Sequence, residues 1–507
     1  MKSPLIIYWA RRDLRTLDNP ALFAAVQKSN VEQIPLLPLF ILEEYMISGE
    51  SEYQFGYPSR FFLAQALPVF AAQFKIFALV QGKAMTYLKA LSEKYELTVF
   101  VNDDVYVDFY TQVTKLTKAG VSVEVCEDAL SVPKDTVSGE GNLYSVFTPF
   151  KKNVWAHFTR KKQLSKVSLN DVLYAQSALV SALPSQIALT TEAIWNLFSK
   201  QRFITVGEKT IDLDAYTKLP KLEAWYVSEA EALARFSDYL ISGDLDAYKT
   251  NRDSLELDVS SEDNVQLAAR GKTSRMSLAL AWGLVSSRTL LQMMQEHFDE
   301  SFDNPFSTRV SEGALTYISE LIWREFYRYQ LFHRPELMTT EFQKRFQGTI
   351  AWVDDATAEK RFIAWIQGET GYPVVDAAMK QLSETGWMHN RSRMIVASIL
   401  SKNLGVDWRW GQEYFKAVLM DLDEASNNGG WQWGASVGAD PKPIRIFNPE
   451  LQAKNYDAAG LYQKRWLHSD ENFSLLSPSV PIVEHKVARE EALQRYGLSK
   501  EVEPRDY

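Results

Sequence analysis

Residues 5–9 read LIIYW, a short and continuous apolar run close to the start of the 507-residue chain. Such a run is typical of a strand that is buried on both faces, as in a parallel sheet. Similar runs follow at 34–42 (IPLLPLFIL), 97–102 (LTVFVN) and 121–126 (VSVEVC), and helical patterns such as 83–95 separate them. Strands that alternate with helices predict a doubly wound, Rossmann-like parallel sheet.

The pattern becomes helical from about residue 226. ISELIWREFYRYQLF (318–332) and MHNRSRMIVASILSKNL (388–404) repeat apolar residues every three or four positions, which indicates amphipathic helices. The stretch before them is irregular, with a loop at SGEGN (138–142). The predicted fold class is therefore α/β plus all-α. The expected organisation is an α/β domain at 1–130, a long connector at 131–225, a large helical domain at 226–490 and a short tail at 491–507.

Composition excludes several classes of protein. The single cysteine, Cys126, excludes an internal disulfide and a cysteine-based zinc or iron–sulfur site. The six histidines are scattered, so we expect no metal centre. No apolar run reaches 18 residues and the N-terminus does not resemble a signal peptide, which favours a cytoplasmic protein without a membrane span. A net charge of −9 does not by itself point to a nucleic-acid binder.

Two nucleotide-binding signatures are missing. The Gly-rich dinucleotide fingerprint does not follow the first apolar run, which disfavours a nicotinamide dehydrogenase. GKTS at 271–274 resembles the end of a P-loop, but Gln266 stands where that loop needs glycine.

Tryptophan is the most informative residue type. Eight of the 14 tryptophans lie within residues 323–433. They indicate either a Trp-rich helical core or a site that stacks aromatic rings or moves electrons, and composition does not choose between the two.

Two helical segments combine charged and aromatic residues. Glu320, Trp323, Arg324 and Arg328 fall on one stripe of a helix. The stripe fits either a salt-bridged surface helix or the wall of a pocket for a planar, hydrogen-bonding ligand. In TGWMHNRSRM (385–394), Asn390 and Met394 share a face four residues apart, although a helix start with solvated arginines would give the same pattern.

Two further segments are rich in small polar residues. DLDEASNNGGWQWGAS (421–436) predicts a turn at 427–430, where two glycines would permit positive φ and close backbone approach. In TSRMS (273–277), three hydroxyls stand at a predicted helix start. They fit either a phosphate or diphosphate site or a simple helix cap.

Together these motifs resemble the photolyase/cryptochrome family. The resemblance runs from WARRDLRTLDNPAL (9–22) through YSVFTPFKK (144–152) into the helical half. It is strongest at ELIWREFYR, TGYPVVDAAMKQL, GWMHNRSRM and NNGGWQW. Within the family, the chain looks like the class I-type cyclobutane pyrimidine dimer photolyases. The (6-4) photolyases carry His-His where this chain has His389-Asn390, and the iron–sulfur branch needs cysteines that this chain lacks.

The resemblance implies which residues form the site. A U-shaped FAD would be held by Tyr248, Arg252, Thr273, Ser274, Arg275, Met276, Ser277, Trp387, Asn390, Arg393, Asp421, Asp423 and Asn427. A flipped-out dimer would contact Glu320, Trp323, Arg324, Asn390, Arg391, Met394 and Trp433. The implied catalytic residues are Glu320 and Asn427, with Trp431, Trp408 and Trp352 as an electron relay.

The implied activity is a carbon–carbon lyase reaction. Light excites reduced, anionic FAD, an electron passes to a dimer in UV-damaged DNA, the cyclobutane ring splits and the electron returns. A cryptochrome-like blue-light photoreceptor and (6-4) repair are the alternatives. Only about 20 residues follow EHK (484–486), which favours the enzyme over a receptor with a long extension.

Two further expectations concern binding partners. The resemblance leaves open whether a second antenna chromophore, folate or deazaflavin, is bound, because Asp108-Phe109 stands where folate-binding members carry Asn-Glu. We expect a monomer without an obligate protein partner.

Overall fold

The computed structural model describes residues 2–47, 55–207, 209–222, 225–258, 272–302, 309–439, 444–467 and 480–498. The end of the predicted tail, from residue 499 onward, lies outside the described residues.

The N-terminal part is built on a parallel sheet of five strands, which confirms the predicted fold. The strands are β1 (Ser3–Ala10), β2 (Leu36–Leu42), β3 (Ala78–Gln81), β4 (Tyr95–Asn102) and β5 (Ser122–Cys126), in the order β3-β2-β1-β4-β5. Ile7 of β1 pairs with Leu37 of β2 and Val99 of β4, so the opening apolar run forms the centre of the sheet. The four-residue edge strand β3 was not predicted from the sequence.

Alternate residues of β1 enter two different cores. Ile6 and Tyr8 pack in a core that extends into the helical half and includes Phe326, whereas Ile7 and Trp9 pack in a separate core on the other face. A strand buried on both sides needs apolar residues at every position, which explains the unbroken LIIYW run. The helices of this part are α1 (Pro20–Glu32), α2 (Glu44–Ile47), α3 (Tyr57–Ala71), α4 (Ala84–Lys94) and α5 (Val107–Lys118).

The predicted connector contains regular elements of its own. They are α6 (Phe147–Thr159), α7 (Ser177–Ser181), α8 (Thr191–Leu197), the antiparallel strands β6 (Phe203–Val206) and β7 (Lys209–Asp212), and a 3₁₀ turn at Leu213–Ala215. Where the domains begin and end along the chain stays a prediction.

The C-terminal half is helical, as expected. Its helices are α9 (Glu229–Ile241), α10 (Tyr248–Asn251), α11 (Ser277–Ala281), α12 (Ser287–Phe298), α13 (Glu312–His333), α14 (Asp355–Gln367), α15 (Pro373–Thr385), α16 (Asn390–Ser398), α17 (Trp408–Val418), α18 (Glu424–Gly434), α19 (Pro449–Tyr456), α20 (Leu461–Trp466) and α21 (His485–Arg495). A π-helical segment at Ile399–Asn403 follows α16, and 3₁₀ turns occur at Glu256–Asp258, Pro335–Met338 and Lys344–Phe346.

The turn predicted at 427–430 is wrong, because these residues lie inside α18. Asp423 caps this helix by accepting a hydrogen bond from the Ser426 amide. Gly429 is required for packing rather than for a turn, since a Cβ there would lie 2.1 Å from the ring of Tyr327 on α13. The glycine therefore allows two helices to approach closely.

Within the ranges that the structure describes, no helix is both long and apolar enough to cross a membrane. In the same residues, no group of three or more His, Cys, Asp or Glu side chains is arranged to hold a metal ion.

Candidate functional site

Helices α13, α16 and α18 and the segment before α11 line a cavity of about 520 Å³. This volume lies in the range of small-molecule sites, roughly 300–1,000 Å³. Most of the predicted site residues line it: Tyr248, Arg252, Thr273, Ser274, Arg275, Met276, Ser277, Glu320, Trp323, Arg324, Trp387, Asn390, Arg393, Met394, Asp421, Asp423, Asn427, Trp431 and Trp433. Motifs far apart in the sequence therefore meet around one space.

One end of the cavity offers hydroxyl groups. The Ser274 hydroxyl lies 2.9 Å from the Tyr317 hydroxyl, and the Tyr317 ring contacts that of Tyr248. Burial raises the pKa of Tyr317 and of Tyr248 well above the ordinary range. A phenol is protonated at neutral pH even at its ordinary pKa of about 10, and burial keeps both protonated at higher pH as well, so both can donate hydrogen bonds to an anionic ligand such as a phosphate.

Arg275 has an unusual backbone beside these hydroxyls. Its φ is 53°, a left-handed value that costs a non-glycine residue free energy and often marks a functional site. Its guanidinium lies 4.8 Å from the Trp225 ring centroid and 4.2 Å from that of Trp387, and its carbonyl accepts a hydrogen bond from Tyr226. These contacts fix the conformation of the segment 273–277.

A buried ion pair forms another part of the wall. Nη2 of Arg393 donates to both carboxylate oxygens of Asp421, at 3.0 and 2.8 Å. The Asp421 side chain is 1 % exposed, so loss of Arg393 would leave a buried carboxylate without this partner. The pair offers a fixed dipole to a bound ligand.

Asp423 separates this cavity from a smaller one. Burial alone would raise its pKa, but the guanidiniums of Arg324 and Arg328 outweigh burial and hold the pKa well below its usual range. Asp423 and Arg324 also line a space of about 70 Å³ at the carboxyl ends of β1 and β4. Asp423 is thus an ionised wall residue with its own partners.

Some residues that line the cavity have a buried polar atom for which the structure describes no hydrogen-bond partner, among them Asn427 (Oδ1), Trp387 (Nε1) and Trp431 (Nε1). The amide nitrogen of Asn427 donates to the Gln412 carbonyl at 3.1 Å, which leaves its oxygen as an acceptor. Buried polar groups are normally satisfied. The cavity is lined by four tryptophans, by the Ser274 and Tyr317 hydroxyls and by the Arg393–Asp421 pair. Rings for stacking and polar groups for hydrogen bonds therefore meet around one space, so the residues present fit a flavin.

The outer part of the cavity carries aromatic and charged groups. The Trp323 ring stacks on Phe147 with centroids 3.5 Å apart. Glu320 forms a short ion pair with Arg252, a contact that the sequence did not predict. Asn390 and Met394 lie in contact, as their spacing indicated.

Arg391, Trp408 and Trp352 do not line the cavity. Arg391 pairs with Asp253 at 2.8 Å. Trp408 is fully buried, and the ring of Trp352 lies 6.0 Å from that of Tyr496.

Comparison with known proteins identifies the family. The model described as the FAD binding domain of DNA photolyase matches residues 317–475, and the model described as DNA photolyase matches residues 6–168. A relative from Synechococcus sp. named deoxyribodipyrimidine photo-lyase is 33 % identical over 92 % of this chain and 88 % of its own. The chain belongs to the DNA photolyase family.

Two further members cover nearly the whole chain. A deoxyribodipyrimidine photo-lyase of Vibrio cholerae is 30 % identical over 97 % of this chain and 99 % of its own. The crystal structure of a bacterial class III photolyase from Agrobacterium tumefaciens superposes with a TM-score of 0.75, at 28 % identity and 98 % coverage of both chains. The photolyase fold is therefore preserved from end to end.

Two aromatic residues at or near this cavity were not predicted from the sequence. Tyr317 lines the cavity one helical turn before Glu320, and that spacing was the available signal. Trp365 lies with its ring centroid 6.0 Å from that of Trp431, and no local motif marked it. The roles of the predicted residues, including the tryptophan relay, stay predictions.

Proposed function

We propose that the protein uses light to repair cyclobutane pyrimidine dimers in DNA, with reduced, anionic FAD in the 520 Å³ cavity. One observation carries this proposal: the residues of four separate motifs line one cavity. Membership of the photolyase family supports it. Binding of a folate or deazaflavin antenna in addition to FAD remains a separate prediction.

The cofactor would lie along the polar groups of the wall. Bound FAD would supply the electron that light excites and that returns after the cyclobutane ring has opened. The Ser274 and Tyr317 hydroxyls would donate to its diphosphate. The Oδ1 atom of Asn427 would accept a hydrogen bond from its ring system. The Arg393–Asp421 pair would lie along the ring edge and keep the orientation fixed.

The outer residues would hold the dimer. A dimer must leave the base stack to enter a cavity. Photolyases are among the enzymes known to flip their target bases out of the duplex. Trp323 and Trp433 would flank the flipped bases with their rings. Glu320 would accept a hydrogen bond from a ring N–H of the dimer and so orient it beside the cofactor.

A repair assay tests this function. The protein is purified in the dark, reduced, and mixed with an oligonucleotide that carries one thymine cyclobutane dimer. We expect blue light, and not darkness, to restore the absorbance of the separated bases. Bound FAD without any recovery would overturn dimer repair, and a (6-4) substrate would then be tested. Absence of flavin from the protein would overturn the cofactor assignment.

A further inference from the structure

Asp253 lies beside the cavity and contacts two arginines at its outer edge. Its Oδ2 is 2.8 Å from Nη2 of Arg391, and Nε of Arg391 donates to Oδ1 at 3.3 Å. The same Oδ1 is 3.8 Å from Nε of Arg252. Arg252 lines the cavity, and Arg391 follows Asn390, which also lines it. The carboxylate therefore stands between an arginine of the cavity wall and an arginine next to a wall residue.

The arginines have little remaining freedom. Arg391 uses two of its nitrogens for Asp253, lies 4.2 Å from the ring centroid of Tyr456, and has a side chain only 11 % exposed. Arg252 pairs with Glu320 as well as with Asp253. Two positive and two negative side chains thus form an array with no net charge.

Free arginines at this edge would bind DNA phosphates. Phosphate contacts supply affinity for any DNA, damaged or not, and they depend on uncompensated positive charge. An arginine that already has a carboxylate partner must exchange that partner for the phosphate, which reduces the net binding free energy of the phosphate contact. The Asp253 carboxylate and a DNA phosphate are also both negative, and like charges brought together across an interface lower affinity.

We propose that Asp253 is a residue that limits DNA affinity by competing with backbone phosphates for Arg391 and Arg252. This inference rests on the proposed function, which brings DNA to the cavity entrance. The competition acts on undamaged and dimer-containing DNA alike. Its consequence is faster release of repaired DNA, because the product keeps only the backbone contacts that Asp253 weakens.

The experiment compares Asp253→Asn with a matched control, Glu359→Gln. Both substitutions remove one negative charge, and Glu359 forms a half-buried pair with Lys209 in which neither residue lines the cavity. Dissociation constants are measured for an undamaged duplex and for the same duplex with one thymine dimer. We expect Asp253→Asn to tighten both roughly two- to fivefold, the range of a partly exposed ion pair, and Glu359→Gln to change neither. Repaired duplex should dissociate more slowly from Asp253→Asn, and Asp253→Glu should restore the original values.

Two results would overturn the inference. Equal affinities of Asp253→Asn and Glu359→Gln would show that Asp253 does not compete with phosphate. Weaker binding by Asp253→Asn, with the flavin spectrum and the unfolding midpoint unchanged, would show that the carboxylate supports binding instead. Failure of the proposed function is distinct from both, because the unmodified protein would then not prefer the dimer-containing duplex.

Discussion

The two cavities that share Asp423 in their walls differ in size and lining. The large cavity, about 520 Å³, is lined by four tryptophans among mostly apolar surroundings. The small one, about 70 Å³, is lined by six arginines and five aspartates, and most of these charges pair with one another. Density of charge therefore does not identify a ligand site. Volume and an aromatic lining favour one, whereas the paired charges join the sheet to the helices.

The comparison predicts that the small cavity matters most for stability. Asp128 accepts from Arg15 and Arg288, so Asp128→Ala leaves two buried guanidiniums without that partner. We expect a loss of about 3–5 kcal/mol in the free energy of unfolding, measured by urea titration. The adjacent Glu127 has an 82 % exposed side chain, and Glu127→Ala should change stability by less than about 0.5 kcal/mol. A similar small loss for Asp128→Ala would contradict the structural role of the pairs.

The same pairs predict an effect of pH. Burial alone would raise the pKa of Asp128, but Arg15 and Arg288 outweigh it and hold the pKa well below its usual range. A depressed carboxyl pKa stabilises the fold above the pKa of the unfolded chain, about 3.9, and this stabilisation is lost as the pH falls below it. The difference in unfolding free energy between the unmodified protein and Asp128→Asn should therefore shrink from pH 7 towards pH 3. A constant difference would contradict this linkage.

A second substitution alters the wall of the large cavity. A Cβ on Gly411 would lie 2.0 Å from the Trp431 ring, so Gly411→Ala forces that ring to move. We expect a loss of about 2 kcal/mol in stability and a lower fraction of protein with bound FAD, measured by flavin absorbance after gel filtration. Gly139→Ala is the control, since a Cβ there meets no atom within 4 Å. Full FAD retention by Gly411→Ala would show that the position of the Trp431 ring does not matter for FAD binding.

The sequence predicted what depends on local pattern. The LIIYW run is unbroken because both faces of β1 are buried. Most cavity residues belong to the motifs that carry the family resemblance, whereas Tyr248 and Arg252 were implied by the resemblance alone. The turn at 427–430 was wrong because Gly429 contacts Tyr327, about 100 residues away in sequence. Trp365 and the Arg252–Glu320 pair were missed for the same reason. Contacts between distant segments leave no mark in a single sequence.

A smaller effect is expected in the photochemistry of Trp431. This residue lines the large cavity and is 2 % exposed, which places an oxidisable ring next to the proposed flavin. Trp431→Phe should slow photoreduction of the oxidised flavin about tenfold or more, equivalent to roughly 1.4 kcal/mol in the barrier. Repair by protein that has been reduced chemically beforehand should not change, which serves as the control. Normal photoreduction would exclude Trp431 from the relay.

The smallest predicted effect tests whether the outer residues act on the dimer rather than on the flavin. Glu320→Gln keeps the shape of the side chain but removes the charge that pairs with Arg252. We expect the quantum yield of dimer repair to fall roughly threefold, the size of a single weakened hydrogen bond, with FAD retention unchanged. Glu312→Gln, on the same helix with a side chain 77 % exposed, is the matched control and should repair normally. Equal yields in the two variants would show that Glu320 does not contribute to repair. A joint loss of flavin and repair would show that Glu320 supports FAD binding rather than contact with the dimer.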